Sequence, residues 1–243
     1  MYFCIKFSEM NKNKIILLFL FVFPIITYLI FASAKHNSLF LKTISEKNAE
    51  IPEGWKDLNG DNVQLKNKIT VLGFVGDKVA ANKSNLFNLN QKVYNKYFGF
   101  KDFQFVMIAP KGTEKDCADI LEQFTMFSND LSGWHFVFAS KEEIQEYYKT
   151  FNLVGQLDEN TGTAAVILID KERNHRGRKG ENKEGEKEYR ESYNTISAAD
   201  LHNEMSDDVK ILLREYRLAL KKNKRKDDFR DKITEGVEKN LQE

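Results

Sequence analysis

Cysteine is scarce in this chain: Cys4 and Cys117 are the two that its 243 residues contain. They lie on opposite sides of a long apolar run at residues 15–34. A membrane helix over that run would separate them, so we expect the part of the chain beyond it to hold no internal disulfide bond.

An excess of charge of one sign is also absent. Lys and Arg together number 37 and Asp and Glu number 36, which leaves a formal net charge of +1. Domains that bind nucleic acid carry a clear basic excess. The composition therefore predicts no nucleic-acid partner.

One long apolar run, Ile15 to Ala34, contrasts with this polar composition. About 20 such residues span a bilayer as a helix, and a proline such as Pro24 is tolerated within one. We therefore predict a single-pass membrane anchor. A cleaved signal peptide is the alternative, because Ala32-Ser33-Ala34 fits a small-residue cleavage pattern.

Positive charges in front of the run predict its orientation. They are Lys6, Lys12 and Lys14. The positive-inside rule keeps this side in the cytoplasm and places the rest of the chain on the periplasmic or extracytoplasmic side of the cell membrane. We predict a cytoplasmic N-terminus at 1–14, an anchor at 15–34 and a spacer at 35–50. One domain at 51–223 and a charged helical tail at 224–243 follow.

Continuous apolar strands alternate with amphipathic helices in the predicted domain. A short hairpin is expected around the turn at residues 59–62, before the first strand. The predicted strands are Ile69 to Val75, Phe103 to Ala109, Trp134 to Ala139 and Ala164 to Ile169. Because such strands are buried on both faces, the order indicates an α/β fold. A long C-terminal helix is expected from the apolar stripe at Leu201, Met205, Val209, Leu212, Tyr216 and Leu220.

This order of elements resembles the Sco/SenC family, membrane-tethered thioredoxin-like proteins that act as copper chaperones for cytochrome c oxidase. The matching pieces are the N-terminal apolar run, the Gly60 hairpin, the strand ending Leu72-Gly73-Phe74, the strand FQFVMIA and the segment AAVILID. The resemblance covers roughly residues 50 to 220. It implies a thioredoxin-like central sheet with flanking helices.

The chain departs from the family at the positions that carry its chemistry. The family's Cys-x-x-x-Cys falls on Asp77 and Ala81, or on Lys78 and Asn82 if the alignment slips by one. Its copper-binding histidine falls on the segment Thr161-Gly162-Thr163. The cis-proline of thioredoxins is missing as well. Copper(I) binding and disulfide exchange both need thiolates, so Asp77, Ala81 and Gly162 are interpreted as degenerate site positions.

Other residues with chemical potential have simpler explanations. Cys117 has no partner thiol and is interpreted as a packed cysteine, and His135 as a structural histidine. The carboxylate pairs Asp158-Glu159 and Asp207-Asp208 lack the spacing of a cation-binding loop. Arg173, Arg176, Arg178 and Lys179 precede a run of glutamates that can neutralise them. We therefore expect no catalytic residue, no metal ligand and no cofactor.

The leading hypothesis is a membrane-anchored binding or assembly module, linked to respiratory or envelope complexes, that is not an enzyme. An alternative is an enzyme or metallochaperone with non-thiol ligands, for which Asp77, Asp158 and His175 are the candidates. A purely structural partner of a membrane complex is a third possibility. The protein partner is not identified by the sequence.

The predicted anchor can be tested on the full chain. The chain should stay with membranes through alkaline carbonate extraction, and a periplasmic reporter enzyme fused after residue 243 should be active. Release by carbonate would reject the anchor, and an inactive reporter would reject the orientation.

Overall fold

A computed structural model describes residues 12–33, 40–182 and 185–219. The predicted tail at 224–243 and most of the predicted N-terminal segment lie outside these residues. The chain divides into two compact units, one before Phe40 and one from Phe40 onward.

The described residues of the first unit form a helix, α1, at Lys12–Ser33. Its apolar side chains between Ile16 and Leu29 are largely exposed. Among the described residues, no helix combines the length and apolar character required to cross a membrane. The predicted anchor therefore stays a prediction.

The second unit is built on a mixed β-sheet. Its strands are β1 (Lys42–Ser45), β2 (Lys56–Asp57), β3 (Ile69–Val75), β4 (Phe103–Pro110), β5 (Trp134–Ala139), β6 (Gly162–Ile169), β7 (His175–Glu181), β8 (Lys187–Arg190) and β9 (Tyr193–Asn194). Their order is β1-β7-β6-β3-β4-β5-β2, with β8 paired to β7 and β9 to β6. β3, β4 and β5 are parallel, and β6 is antiparallel to β3. The predicted α/β class with a thioredoxin-like sheet and flanking helices is confirmed.

Helices cover both faces of this sheet. They are α2 (Lys83–Leu89), continued by a π-helical turn (Asn90–Tyr94) and α3 (Asn95–Tyr97); α4 (Glu114–Phe124); α5 (Lys141–Lys149); and α6, a π-helical segment (Asp200–Met205) followed by helical residues 206–219. A capping box begins α5: Ser140 and Glu143 each accept a hydrogen bond from the other's backbone N–H.

Side chains alternate between two cores along each central strand. Val71 and Phe105 point into the core under α2, α4 and α6, whereas Leu72 and Val106 point into the core under α5. Burial of one such side chain contributes roughly 1.5–3 kcal/mol. Every residue assigned to either core lies between Leu41 and Leu213, so residues 40–243 contain the whole core found among the described residues.

The structure corrects two predicted segments. Residues 42–45, placed in the spacer, form β1 and pair with β7, because Leu41 is apolar enough to join the core beside them. The predicted hairpin around residues 59–62 is reduced to a single bridge between Lys56 and Asn62. β2 pairs instead with β5 and forms that edge of the sheet.

Ion pairs, most of them partly buried, attach the β7–β8 hairpin to α6. Arg178 contacts Asp208 through Nε at 2.8 Å and Glu204 through Nη1 at 2.6 Å, as well as Glu188 of the hairpin at 3.0 Å. The Asp208 carboxylate also accepts a 2.6 Å hydrogen bond from Tyr193. The sequence suggested that glutamates of the hairpin neutralise the arginine patch. In the structure, two of the three carboxylates that pair with Arg178 belong to α6 instead.

Gly76 offers a test of how tightly the sheet ends are packed. It has φ +75°, and a Cβ there would lie 2.9 Å from the Asn160 carbonyl oxygen. Gly76→Ala should lower the free energy of unfolding by about 2 kcal/mol, from left-handed strain and overpacking. Urea unfolding of residues 40–243 measures this.

Gly54→Ala is the matched control, because a Cβ at Gly54 would meet nothing within 4 Å. Its effect should stay within about 0.5 kcal/mol. Equal stability of the two variants would contradict the close packing at Gly76.

Candidate functional site

The candidate site is the loop at residues 76–82, which connects β3 to α2. Its start is held by the Asp77 N–H, which donates to the Asn160 carbonyl at 3.1 Å. Its end is held by the Asn82 amide, which donates to the Val75 carbonyl at 2.8 Å. Val79, between them, is fully buried. The start of the loop is therefore held to the turn that precedes β6, and its end is held to the last residue of β3.

An ion pair occupies the first degenerate position. Asp77 Oδ2 lies 2.5 Å from Nζ of Lys141, the first residue of α5. The two side chains are 32% and 43% exposed, respectively, so solvent screens the pair and limits its contribution to stability. Asp77 Oδ1 is buried and has no hydrogen-bond partner among the residues that the structure describes. Ala81, the second position, is exposed and brings no polar side-chain atom.

Gly162, the third position, lies at a close backbone approach. It pairs with Val75, and a Cβ at Gly162 would be 2.9 Å from the Val75 carbonyl oxygen. The preceding turn is closed by Asp158, whose Oδ1 accepts from the N–H groups of Asn160 and Gly162 at 2.8 Å each. The packing here leaves no room for a larger side chain at Gly162.

The structure brings together only part of the proposed non-thiol site. The Asp77 N–H bonds the turn that contains Asp158, whereas His175 pairs with Ile169 at the far end of β6. Gly162 and Ile169 are seven positions apart on that strand, a separation of about 23 Å at 3.3 Å per residue. Among the described residues, no group of three His, Cys, Asp or Glu side chains could hold a metal ion.

His175 is a core residue. It is fully buried, and its Nε2 lies 2.6 Å from the Glu191 carbonyl oxygen. Burial lowers the pKa of His175, because the charged form is poorly solvated there. The neutral ring then donates through Nε2–H to Glu191.

The other predicted candidates also have structural partners. His135 Nδ1 lies 3.3 Å from Asp57 Oδ2, and Asp208 binds Arg178 and Tyr193. Asp158 is occupied by the turn already described.

Two open recesses adjoin the turn before β6. One, of about 480 Å³, lies beside α5 and is lined in part by Tyr148, Leu157 and Asp158. The other, of about 600 Å³, lies along β6 and β9 and includes Thr163 and Ile196. Both mix polar and apolar side chains.

Sequence reasoning missed Lys141 as the partner of Asp77. The two residues are 64 positions apart, and neither motif nor periodicity connects them. They meet because β3 and β5 run parallel on either side of β4, so that the loops following them emerge at the same edge of the sheet.

Known structures similar to this chain include Sco proteins. A SCO1/SenC family lipoprotein from Bacillus anthracis str. Ames is 20% identical with a TM-score of 0.48, over 71% of this chain and 98% of that one. BsSco, of the Sco family of cytochrome c oxidase assembly proteins, is 15% identical with a TM-score of 0.46, over 72% and 98%.

A third similar structure is the thioredoxin domain of a thiol-disulfide oxidoreductase from Bacteroides vulgatus. It is 20% identical with a TM-score of 0.41, over 69% of this chain and 98% of that one. No protein-family model and no curated protein gives a significant match. At these identities and TM-scores the likenesses do not decide the chemistry of this chain, which follows from its own residues.

Cys117 should behave as an inert thiol. It is fully buried on α4, and burial raises its pKa to about 12 from an ordinary 9.0. The thiolate fraction at neutral pH should therefore be about a thousandfold below that of a free thiol. In a Cys4→Ser chain, Ellman's reagent at pH 8 should react fully only after addition of guanidinium chloride. Rapid reaction of the folded chain would contradict this.

Proposed function

We propose that this protein is a membrane-attached, outward-facing binding or assembly module with a thioredoxin-like scaffold and no thiol-redox or copper site. The observation that carries the proposal is the Asp77–Lys141 ion pair, which stands where the Sco/SenC resemblance places a cysteine. A carboxylate, an ammonium group and an alanine cannot exchange disulfides, and they are poor ligands for copper(I).

The interactions around the loop support a structural role for these positions. The Asp77 N–H bonds the turn before β6, Gly162 pairs with the last residue of β3, and the Asn82 amide bonds the end of the loop to that same residue. Such contacts make the loop a fixed surface. Two recesses lie beside the loop, and Ala81 is exposed between its two held ends. Together they offer a place for a protein partner to bind.

Attachment to the membrane rests on the apolar run at residues 15–34 and on α1. Exposed apolar side chains along a helix are energetically unfavourable in water. The lysines before the run favour an outward-facing domain. The Sco/SenC resemblance, with its tethered domain, agrees with this arrangement.

Competition with a copper(I) chelator tests the absence of a copper site. Residues 40–243, and the same fragment with Cys117→Ala, should leave copper(I) with the chelator. They should also fail to speed the reduction of insulin by dithiothreitol. Without paired thiolates, neither reaction has a route at this loop.

The double variant Asp77→Cys with Ala81→Cys is the positive control, because it restores two thiols at the family's spacing. It should take copper(I) from the chelator where the parent fragment does not. Tight copper(I) binding by the Cys117→Ala fragment would reject the proposal. It would mean that other groups form a site, and Asp77→Ala would then be the first variant to examine.

A further inference from the structure

Helices lie side by side over one face of the sheet, with α6 and α4 on either side of the segment from α2 to α3. Ser206 of α6 accepts a 2.8 Å hydrogen bond at its backbone carbonyl from the Tyr97 hydroxyl of α3. On the other side, the Asn95 amide of α3 donates to the carbonyl of Phe127, just after α4, at 3.1 Å. Phe87 of α2 meets the Phe127 ring edge to face, with centroids 5.1 Å apart. The segment therefore contacts both neighbours.

The outer side of α6 is basic. Lys210, Arg214 and Arg217 are exposed, and their spacing of four and three residues places them on one side of the helix. None of the three forms an ion pair within the part of the chain that the structure describes. Asp207, one turn earlier, is an exposed carboxylate on the same side. We call Lys210, Arg214 and Arg217 the basic face.

Contacts on another side of α6 fix the direction in which the basic face points. Glu215 accepts a 2.8 Å hydrogen bond from the Leu41 N–H through Oε1. Arg176 Nη2 donates to the Leu41 carbonyl at 2.6 Å and to Glu215 Oε2 at 2.7 Å. The Arg176 and Glu215 side chains are only 12% and 13% exposed. Because these buried contacts hold α6 to β7, the basic face stays directed to solvent.

The outer side of α4 is acidic. Asp116, Asp119 and Glu122 are exposed at a spacing of three residues, which makes them neighbours on the helix surface. Within the described residues, no ion pair involves any of these carboxylates. Lys115 is an exposed cation beside them. We call Asp116, Asp119 and Glu122 the acidic face.

Exposed apolar side chains adjoin α3, between the two charged faces. Met126 and Phe127, just after α4, are 69% and 52% exposed. Phe98, three residues beyond Asn95, is 38% exposed. Methionine and aromatic side chains are enriched at the centre of protein interfaces, whereas charged groups lie at the rim. The same order, with an apolar centre and charges on either side, is present here.

The arrangement of charge selects a second copy of this chain as the partner. Two patches on one face exchange places under a two-fold axis that lies in that face, midway between them. In such a pair of copies, the basic face of each lies on the acidic face of the other, and the apolar side chains near the axis meet. A two-fold interface requires this self-complementarity. A partner of one charge sign would be attracted by one face and repelled by the other.

We propose that the chain forms a two-fold symmetric dimer through this helical face, with the acidic face of each copy against the basic face of the other. The proposal goes beyond the binding role given above and does not rest on it. Exposed ion pairs each contribute little, so the charges determine which surfaces meet, and the apolar side chains at the centre add to the affinity. We expect a dissociation constant in the micromolar range.

Sedimentation equilibrium of residues 40–243 tests whether the dimer forms. This fragment contains the whole core found among the described residues and lacks α1. Its apparent mass should rise from monomer to dimer with concentration, and high salt should shift the equilibrium toward monomer by screening the charges. A monomer at every concentration up to millimolar would overturn the proposal, as would assembly beyond a dimer.

Charge reversal tests which surfaces meet. One variant reverses the acidic face: Asp116→Lys, Asp119→Lys and Glu122→Lys. A second variant reverses the basic face: Lys210→Glu, Arg214→Glu and Arg217→Glu. Each alone should dimerise at least about tenfold more weakly than the parent, because like charges then meet at both contacts. Circular dichroism confirms that both variants are folded.

An equimolar mixture of the two reversed variants should form a mixed dimer, because opposite charges again meet at both contacts. A fluorescent label on one variant identifies the mixed species in sedimentation velocity. A merely structural role of these side chains would not predict this recovery. Absence of a mixed dimer would overturn the proposal, as would unchanged dimerisation of either variant alone.

The matched control makes the same change in net charge outside the helical face. Its substitutions are Glu46→Lys, Glu53→Lys and Glu146→Lys. These glutamates are exposed, and none lies on α2, α3, α4 or α6. The control should dimerise within about threefold of the parent, because placement rather than total charge is responsible. Equal weakening in the control and in the variant with a reversed acidic face would contradict the proposed dimer.

Discussion

The burial of β3 along its whole length is the constraint on which the rest of this structure depends. All seven of its residues are buried, between β4 on one side and β6 on the other. Both faces must then be covered, which places α2, α4 and α6 over one face and α5 over the other. The end of β3 also determines where the loop at residues 76–82 begins and which turn it contacts. A buried strand leaves the loop after it little freedom.

The loop at residues 76–82 joins two parts of the sheet. The close approach of Val75 and Gly162 holds the end of β3 to the start of β6. The Asp77 N–H holds the loop to the turn before β6, and the Asn82 amide holds the end of the loop to Val75. A reactive pair of thiols would need exposure and a lowered pKa. The thiol that the described residues contain, Cys117, has the opposite properties: it is buried and its pKa is raised.

The basic side chains near α6 form two groups, one partly buried and one exposed, which the net charge of the chain does not reveal. Arg176 and Arg178 are enclosed by carboxylates and hold β7 to α6, so breaking either set would leave a partly buried charge unpaired. Lys210, Arg214 and Arg217, on the outside of the same helix, remain available to solvent. A net charge of +1 therefore coexists with a local group of exposed basic residues on α6.

The sequence by itself determined the four central strands, the apolar stripe of α6 and the absence of cysteine from the loop. These follow from local periodicity and residue chemistry, which neighbouring residues express without the rest of the fold. Tertiary structure alone decided that Lys141 pairs with Asp77, that His175 lies far from both aspartates, and that Arg176 joins residue 41 to α6. Each of these contacts depends on strand order and register, which bring together residues distant in the chain and leave no pattern along it.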